Sequence, residues 1–177
     1  MRRIAGLALI AALVALVAPD VARYRAERRV GWATNAFRVL LDRAGDPETA
    51  RNILEVGAVA LSSTGALPGD PRPWMLVGSS FLVTGQPERA LEFYREAFAT
   101  GERSEIDLNL GRAYGLLRRA DGESAAYVRA GWVSPEILAT LPDAPRAKAQ
   151  AEIQRLATLL SEGKLEAPPP LPAEERR

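Results

Sequence analysis

The segment PRPWMLVGSSFLVTGQPERALEFYREA, residues 71–97, decides the fold, because its large and small side chains recur at helical spacing. Intervals of three and four residues separate the members of each set, so each set lies on one face of a helix. The sequence TGQP at 84–87 divides the segment, and proline is common in the first turn of a helix. We therefore predict two helices that form an antiparallel hairpin. The first helix carries Trp74, Val77, Gly78 and Phe81, and the second carries Ala90, Tyr94 and Ala97.

Small residues in this hairpin mark the place where the two helices approach each other. Helix backbones come close only where side chains are small, and large side chains then fill the space beside the contact. We predict that Gly78 and Ala90 permit the close approach. The surrounding space is then filled by Trp74, Phe81 and Tyr94. One hairpin cannot bury both of its faces, so it has to stack on a neighbour.

A second copy of the pattern follows, with Gly111 placed 33 residues after Gly78. Two positions deviate from the first copy. Asp107 stands where Trp74 stood, and Glu123 stands where Ala90 stood. The matching residues of the second copy are Leu110, Gly111, Tyr114, Tyr127 and Ala130.

The pattern resembles the tetratricopeptide repeat (TPR), whose signature is W-x2-L-G-x2-Y, followed by A-x3-F and a closing Ala. Residues 71–103 match the signature, residues 104–137 match it less completely, and residues 31–64 are interpreted as a degenerate earlier repeat. The resemblance implies an all-α fold in which antiparallel helical hairpins stack as a short right-handed solenoid with a C-terminal capping helix. No run alternates with the period of a strand, so no sheet is predicted.

Shorter signals mark other helix boundaries. A first helix over about residues 21–44 ends at the sequence GDPET, residues 45–49. Within this sequence, Asp46 caps the next helix and Pro47 occupies its first turn. Residues 62–73 are rich in Gly, Pro and Ser and are predicted as a loop. The predicted buried faces are Val30, Ala33, Phe37, Leu40 and Leu41 in the first helix, and Ala50, Ile53, Leu54, Gly57, Ala58 and Leu61 in the next.

These patterns divide the chain into five segments. Each boundary falls at a turn signal or at a change of composition. In the last segment, Pro169 and Pro172 have the spacing of ligands for aromatic grooves, but a solvated, flexible tail is the favoured interpretation. The segments are a signal-anchor or transmembrane helix (1–22), a helical segment (23–70), two TPR-like repeats (71–137), capping helices (138–163) and a Pro-rich tail (164–177).

The amino terminus is an apolar run over residues 4–18, preceded by two arginines. Its length fits a cleaved secretory signal, and extension to Ala22 also allows a membrane anchor. Cleavage after Ala18 would put Leu16 where a small residue is preferred, so the anchor is favoured.

Four arginines follow the apolar run and suit anionic lipid headgroups. By the positive-inside rule they draw the body towards the cytoplasm, whereas the short basic start resembles an export signal. We expect a single-pass protein of the bacterial inner membrane whose helical domain lies in the periplasm. The four residues are Arg23, Arg25, Arg28 and Arg29.

The composition limits the kinds of catalytic, metal-binding and nucleic-acid-binding sites that the chain can form. The chain of 177 residues has neither Cys nor His, so the commonest metal ligands and the commonest general base are missing. The net charge of +1 gives no field that would collect nucleic acid. Since no phosphate-binding loop is present either, we predict a protein that is not an enzyme and needs no cofactor.

The TPR resemblance implies a binding groove, because the first helices of successive TPR hairpins line a concave surface that holds a peptide or partner helix. The clamp of chaperone-binding TPR domains is missing, since the corresponding pairs are Met75–Ser79 and Leu108–Arg112. A mixed apolar and basic groove suits an apolar segment that bears an acidic residue. The alternative is that these positions pack against the neighbouring repeat or against the helices of residues 31–64. The groove residues are Arg72, Met75, Ser79, Leu82, Val83, Leu108, Asn109, Arg112 and Leu116.

Two functions are consistent with these features. The first is a membrane-anchored adaptor or scaffold that mediates protein–protein interaction in a bacterial envelope assembly. The second is an accessory subunit of an integral membrane complex, bound through its N-terminal transmembrane helix. In that case Gly6 and the alanines that share its face would form the contact surface.

Overall fold

The computed structural model describes residues 2–165 and Pro169, with side chains from Leu13 onward. Within these residues every regular element is helical and no strand occurs, which confirms the predicted all-α fold. The α-helices are α1 (Arg2–Leu41), α2 (Pro47–Leu61), α3 (Pro71–Val83), α4 (Pro87–Ala99), α5 (Ser104–Leu116), α6 (Ala120–Val133) and α7 (Asp143–Ser161); short 3-10 helices span Thr64–Ala66 and Pro135–Thr140.

Consecutive helices pack against each other along the whole array. The most extensive contacts lie within the pairs α3–α4 and α5–α6, and each of these pairs also touches the helix before and after it. The first helix of one hairpin meets the first helix of the next, since α3 contacts both α1 and α5. The right-handed solenoid and the capping role of α7 stay predictions.

Aspartate–proline pairs fix the starts of α2 and α3. Asp46 accepts a hydrogen bond from the Thr49 amide at 2.8 Å, with Pro47 in the first turn, as predicted. Asp70 accepts one from the Arg72 amide at 2.9 Å, so α3 already begins within the predicted loop. The loop prediction for 62–73 is therefore wrong at its end, because Asp-Pro at 70–71 repeats the helix-start signal.

The buried faces of α1 and α2 differ in part from the predicted ones. Val30 and Ala33 are buried, but Leu41 is 42% exposed at the end of α1. Leu61 is exposed at the corresponding end of α2. Because α2 packs against both α1 and α3, its buried surface is not confined to the predicted face. Its buried residues are Thr49, Ile53, Val56, Gly57 and Ala60.

Both hairpins contain the same close contact between a glycine and a tyrosine ring. A Cβ atom added to Gly78 would lie 2.6 Å from Cε1 of Tyr94. A Cβ atom added to Gly111 would lie 2.5 Å from Cδ1 of Tyr127. Neither distance is accessible to a real side chain, so the tyrosine fits only because the opposite residue is glycine. The predicted close approach at Gly78 is confirmed, and Ala90 is fully buried beside it.

The hydrophobic core is a series of clusters between neighbouring helices. The largest joins the two hairpins, and the next lies between α6, the 3-10 helix at 135–140 and α7. A third fills the space between α1, α2 and α3. Representative residues are Tyr94, Ile106, Leu110 and Tyr114 in the first cluster, Tyr127, Leu138 and Leu156 in the second, and Ala33, Val56 and Val77 in the third.

The predicted anchor and tail fall partly outside this description. The side chains of residues 1–12 lie outside the described residues, as do residues 166–168 and 170–177. None of the helices in the described part of the chain has the length and apolar character needed to cross a membrane. In the tail, Pro169 is buried.

Candidate protein-binding surface

The predicted groove residues come from two helices that touch each other, α3 and α5. Their fold position therefore agrees with the idea that the first helices of both hairpins share one surface. From α3 come Arg72, Met75, Ser79, Leu82 and Val83, and from α5 come Leu108, Asn109, Arg112 and Leu116.

The α3 residues divide between the surface and the core. Met75 and Leu82 are half-buried and pack against the cluster that joins the two hairpins. The side chain of Arg72 points towards α1, since its Nη2 atom lies 2.8 Å from Oε2 of Glu27 on that helix. A second ion pair holds it to Asp70, and both carboxylates raise the pKa of its guanidinium. Arg72 is therefore already neutralised at the α1 side of α3.

The position of Leu108 differs from the predicted one, on the surface of the groove. Its side chain is only 5% exposed and packs in the cluster with Tyr127 and Leu138. Leu108 therefore belongs to the core rather than to the groove, and it packs against its own repeat and the segment that follows it. Leu116, one turn beyond Arg112, is 59% exposed and stays on the surface.

Arg112 is the half-buried cation of the surface. Its Nη1 atom donates to Oδ1 of Asn109 at 3.2 Å, and its Nη2 atom donates to Oγ1 of Thr140 at 3.3 Å. Both acceptors are neutral, and both bonds are long for a charged donor. Among the described residues, the hydrogen-bond acceptors that position the guanidinium are thus uncharged.

Two tyrosine hydroxyls lie within the electrostatic reach of Arg112. Burial raises the pKa of Tyr94 far above its usual range, and the Ser79 hydroxyl and Arg112 oppose this rise only partly. Burial also raises the pKa of Tyr127 to about 12, helped by Glu123 and opposed by Arg112. Both phenols therefore stay protonated at neutral pH.

Sequence reasoning missed two members of this surface. The Tyr94 hydroxyl lies 3.1 Å from Oγ of Ser79, which connects α4 to the face of α3. Thr140 reaches Arg112 from the 3-10 helix after α6. A buried tyrosine usually finds a partner for its hydroxyl, so Tyr94 could have been predicted. Thr140 could not, because nothing local in the sequence places it beside α5.

A separate apolar groove of about 580 Å³ lies between α1 and α2. Trp32 on its edge is 57% exposed, and Val39 is 76% exposed. Sequence reasoning assigned no role to these residues. Within the part of the chain that the structure describes, no cluster of acidic side chains has the arrangement of a metal site.

No protein-family model, curated protein or solved structure matches this chain.

Proposed function

We propose that this protein is a helical scaffold that binds a segment of a partner protein on the surface formed by α3 and α5. The observation that carries the proposal is the environment of Arg112. Its hydrogen-bond acceptors among the described residues, Asn109 and Thr140, are both neutral.

An acidic side chain of a partner would complete this site. A carboxylate bonded to a guanidinium forms a charge-assisted hydrogen bond, about twice as strong as one between neutral groups. Because Arg112 is half-buried, solvent screens its charge less than that of an exposed arginine. The predicted groove residues Leu82, Val83 and Leu116 are apolar and remain partly or largely exposed, which suits the apolar remainder of such a segment.

The electrostatics favour binding over catalysis. A general base or nucleophile needs a pKa near the working pH, whereas the tyrosines near Arg112 have pKa values raised well above it. Both phenols are protonated at neutral pH and therefore cannot accept protons from a substrate. We therefore propose no enzymatic activity for this surface.

The membrane setting belongs to the same proposal and rests on the sequence. The apolar run at 4–18 and the arginines that follow it suit an anchor in a bacterial inner membrane, with the helical domain in the periplasm. The protein would then act as an adaptor that holds a partner of an envelope assembly beside the membrane.

A second candidate function is that of an accessory subunit bound through the amino-terminal part of α1. The observation that favours it is the continuity of α1 from Arg2 to Leu41. Apolar side chains of this helix, including Leu13, Leu16 and Val17, are at least half exposed. Such a face would be covered by helices of another subunit.

A quantitative capture experiment separates the two candidates. The full-length tagged protein, extracted in detergent, would be compared with Arg112→Glu, Val17→Arg and the control Arg51→Glu, an exposed position on α2. If the α3–α5 surface binds the partner, Arg112→Glu loses it while the control keeps it. Loss with Val17→Arg alone would favour the accessory subunit. Equal losses with Arg112→Glu and Arg51→Glu would contradict a specific role for Arg112.

A further inference from the structure

A groove between α6 and α7 is lined in part by the carboxyl-terminal segment of the chain itself. The groove encloses about 680 Å³, and Pro169 is one of its lining residues. Its floor is aliphatic and its rim carries charges of both signs. The floor includes Ala125, Val128, Ala151 and Leu156, and the rim includes Asp121, Lys148, Glu152 and Arg155.

The end of α7 turns the chain back towards this groove. Gly163 has a φ of +68°, a left-handed conformation that suits glycine. The amide of Lys164 donates to the Leu159 carbonyl at 2.9 Å, and the amide of Gly163 donates to the Leu160 carbonyl at 3.1 Å. This pair of bonds is the Schellman motif, which ends a helix and reverses the chain.

Leu165 shows where the reversed chain goes. Its side chain is half-buried and packs against the cluster that contains Val128 and Leu156, two residues of the groove floor. Four residues later, Pro169 is buried at the groove. Four residues reach at most about 14 Å, so Leu165 and Pro169 hold the segment against the same side of the helical array.

Arg129 supplies the polar contact for this segment. Its Nη2 atom lies 2.7 Å from Oε2 of Glu102, and its Nε atom also bonds Glu102. The remaining Nη1 atom donates to the carbonyl oxygen of Pro169. Carbonyl groups of a polyproline helix have no internal partner, so a buried one requires a donor from outside the segment.

From these contacts we propose that the carboxyl-terminal segment beginning at Leu165 is the occupant of the α6–α7 groove. Pro169 lines the groove beside the aliphatic floor, and Arg129 holds the segment by the Pro169 carbonyl. The groove is thus an interaction surface for a proline-rich segment, filled by this chain's own tail. The proposal is independent of the α3–α5 surface, which involves different helices.

The full-length chain contains no cysteine, so two introduced cysteines report the position of the tail without background. Ser124→Cys places one thiol at the groove, and Leu171→Cys places the other in the tail. The matched control pairs Leu171→Cys with Glu92→Cys, an exposed position on α4 that does not line the groove. The rate of intramolecular disulfide formation under mild oxidation is then measured by gel mobility.

A docked tail should give a disulfide in the groove pair at least about tenfold faster than in the control pair, because docking raises the effective concentration of the two thiols. Equal rates for the two pairs would overturn the proposal. Disulfide-linked dimers that grow with protein concentration would also overturn it, because the tail of a second copy would then fill the groove.

Two further variants test the role of Arg129 in the groove pair. Arg129→Gln and Glu102→Gln both break the ion pair between these residues, but only Arg129→Gln removes the donor to Pro169. We expect slower disulfide formation in Arg129→Gln and little change in Glu102→Gln. Equal rates of disulfide formation in both variants would contradict the proposal that Arg129 holds the segment by the Pro169 carbonyl. If Arg129→Gln does not fold, the comparison of the two cysteine pairs still decides the proposal.

Discussion

The hairpins α3–α4 and α5–α6 share their closest contact but differ in the fourth residue of their first helix. In the first hairpin, Trp74 stacks on Phe93, with ring centroids 6.3 Å apart and an interplanar angle of 24°. In the second hairpin, Asp107 occupies the position of Trp74 and is only 1% exposed. Its charge and that of Glu102 both raise the pKa of Arg129, with Glu102 as the larger cause.

The difference shows which positions of a hairpin require one residue type and which accept residues of different chemistry. The glycine opposite each tyrosine cannot change, since any Cβ atom would overlap the ring. The neighbouring space accepts either stacked aromatic rings or a buried carboxylate close to an arginine. A buried charge is costly unless it is compensated, so Arg129 contributes to the stability of the second hairpin.

The largest expected difference between the hairpins is at Arg129. Its replacement in Arg129→Met should cost about 3 kcal/mol of unfolding free energy, because Glu102 loses its ion pair and the buried Asp107 loses a favourable cation. The equivalent residue of the first hairpin is Glu96, which is exposed, and Glu96→Met should change little. Denaturant unfolding followed by circular dichroism measures both. Equal costs would contradict the different roles assigned to the two positions.

The next largest effect, a loss of stability when either glycine is replaced, should be common to both hairpins. Gly78→Ala and Gly111→Ala each insert a Cβ atom into a tyrosine ring and should cost about 1–3 kcal/mol through overpacking. Gly45→Ala is a suitable control, because nothing lies within 4 Å of a Cβ atom there. Thermal melts of the three variants check this. A neutral melting temperature for Gly78→Ala would show that the ring position is wrong.

The hydroxyl groups of the two tyrosines should contribute differently to the stability of the two hairpins. Tyr94→Phe removes the hydrogen bond to Ser79 and should cost about 1 kcal/mol. Among the described residues the Tyr127 hydroxyl has no such partner, so Tyr127→Phe should be nearly neutral. The two free energies of unfolding, measured side by side, make the comparison. A larger cost for Tyr127→Phe would reverse the assignment.

The smallest effect concerns the turns that end α3 and α5. Gly85 has a φ of +76° and Arg118 a φ of +56°, and both occupy the same place in a Schellman motif. A side chain in this conformation is strained by about 1 kcal/mol, so Arg118→Gly should stabilise the protein by up to that amount. Gly85→Ala should destabilise it by a similar amount. Denaturation midpoints would reveal both shifts, and a destabilising Arg118→Gly would contradict the expectation of strain.

The sequence predicted the features that depend on local spacing. The cap at Asp46 and the position of Gly78 opposite Tyr94 both follow from the order of nearby residues. The start of α3 at Asp70 was missed, although it uses the same signal as Asp46.

Features that depend on distant contacts could not be predicted in this way. Helical periodicity assigns a charged residue to the surface, so the burial of Asp107 has no local signal. Leu108 was placed in the groove because the approach of the 3-10 helix after α6 is not encoded near α5. For the same reason, the contact of Pro169 with Arg129 appears only in the folded chain.

The central claim is that one glycine–tyrosine contact sets both hairpins, and a double-mutant cycle tests it most directly. Gly78→Ala is measured in the presence of Tyr94 and again with Tyr94→Leu, and Gly111→Ala is measured likewise with Tyr127→Leu. If each ring occupies the space of the missing Cβ atom, the cost of alanine should fall by about 1 kcal/mol or more once the ring is removed, in both hairpins. Alanine costs that do not depend on the tyrosine, in either hairpin, would contradict the claim.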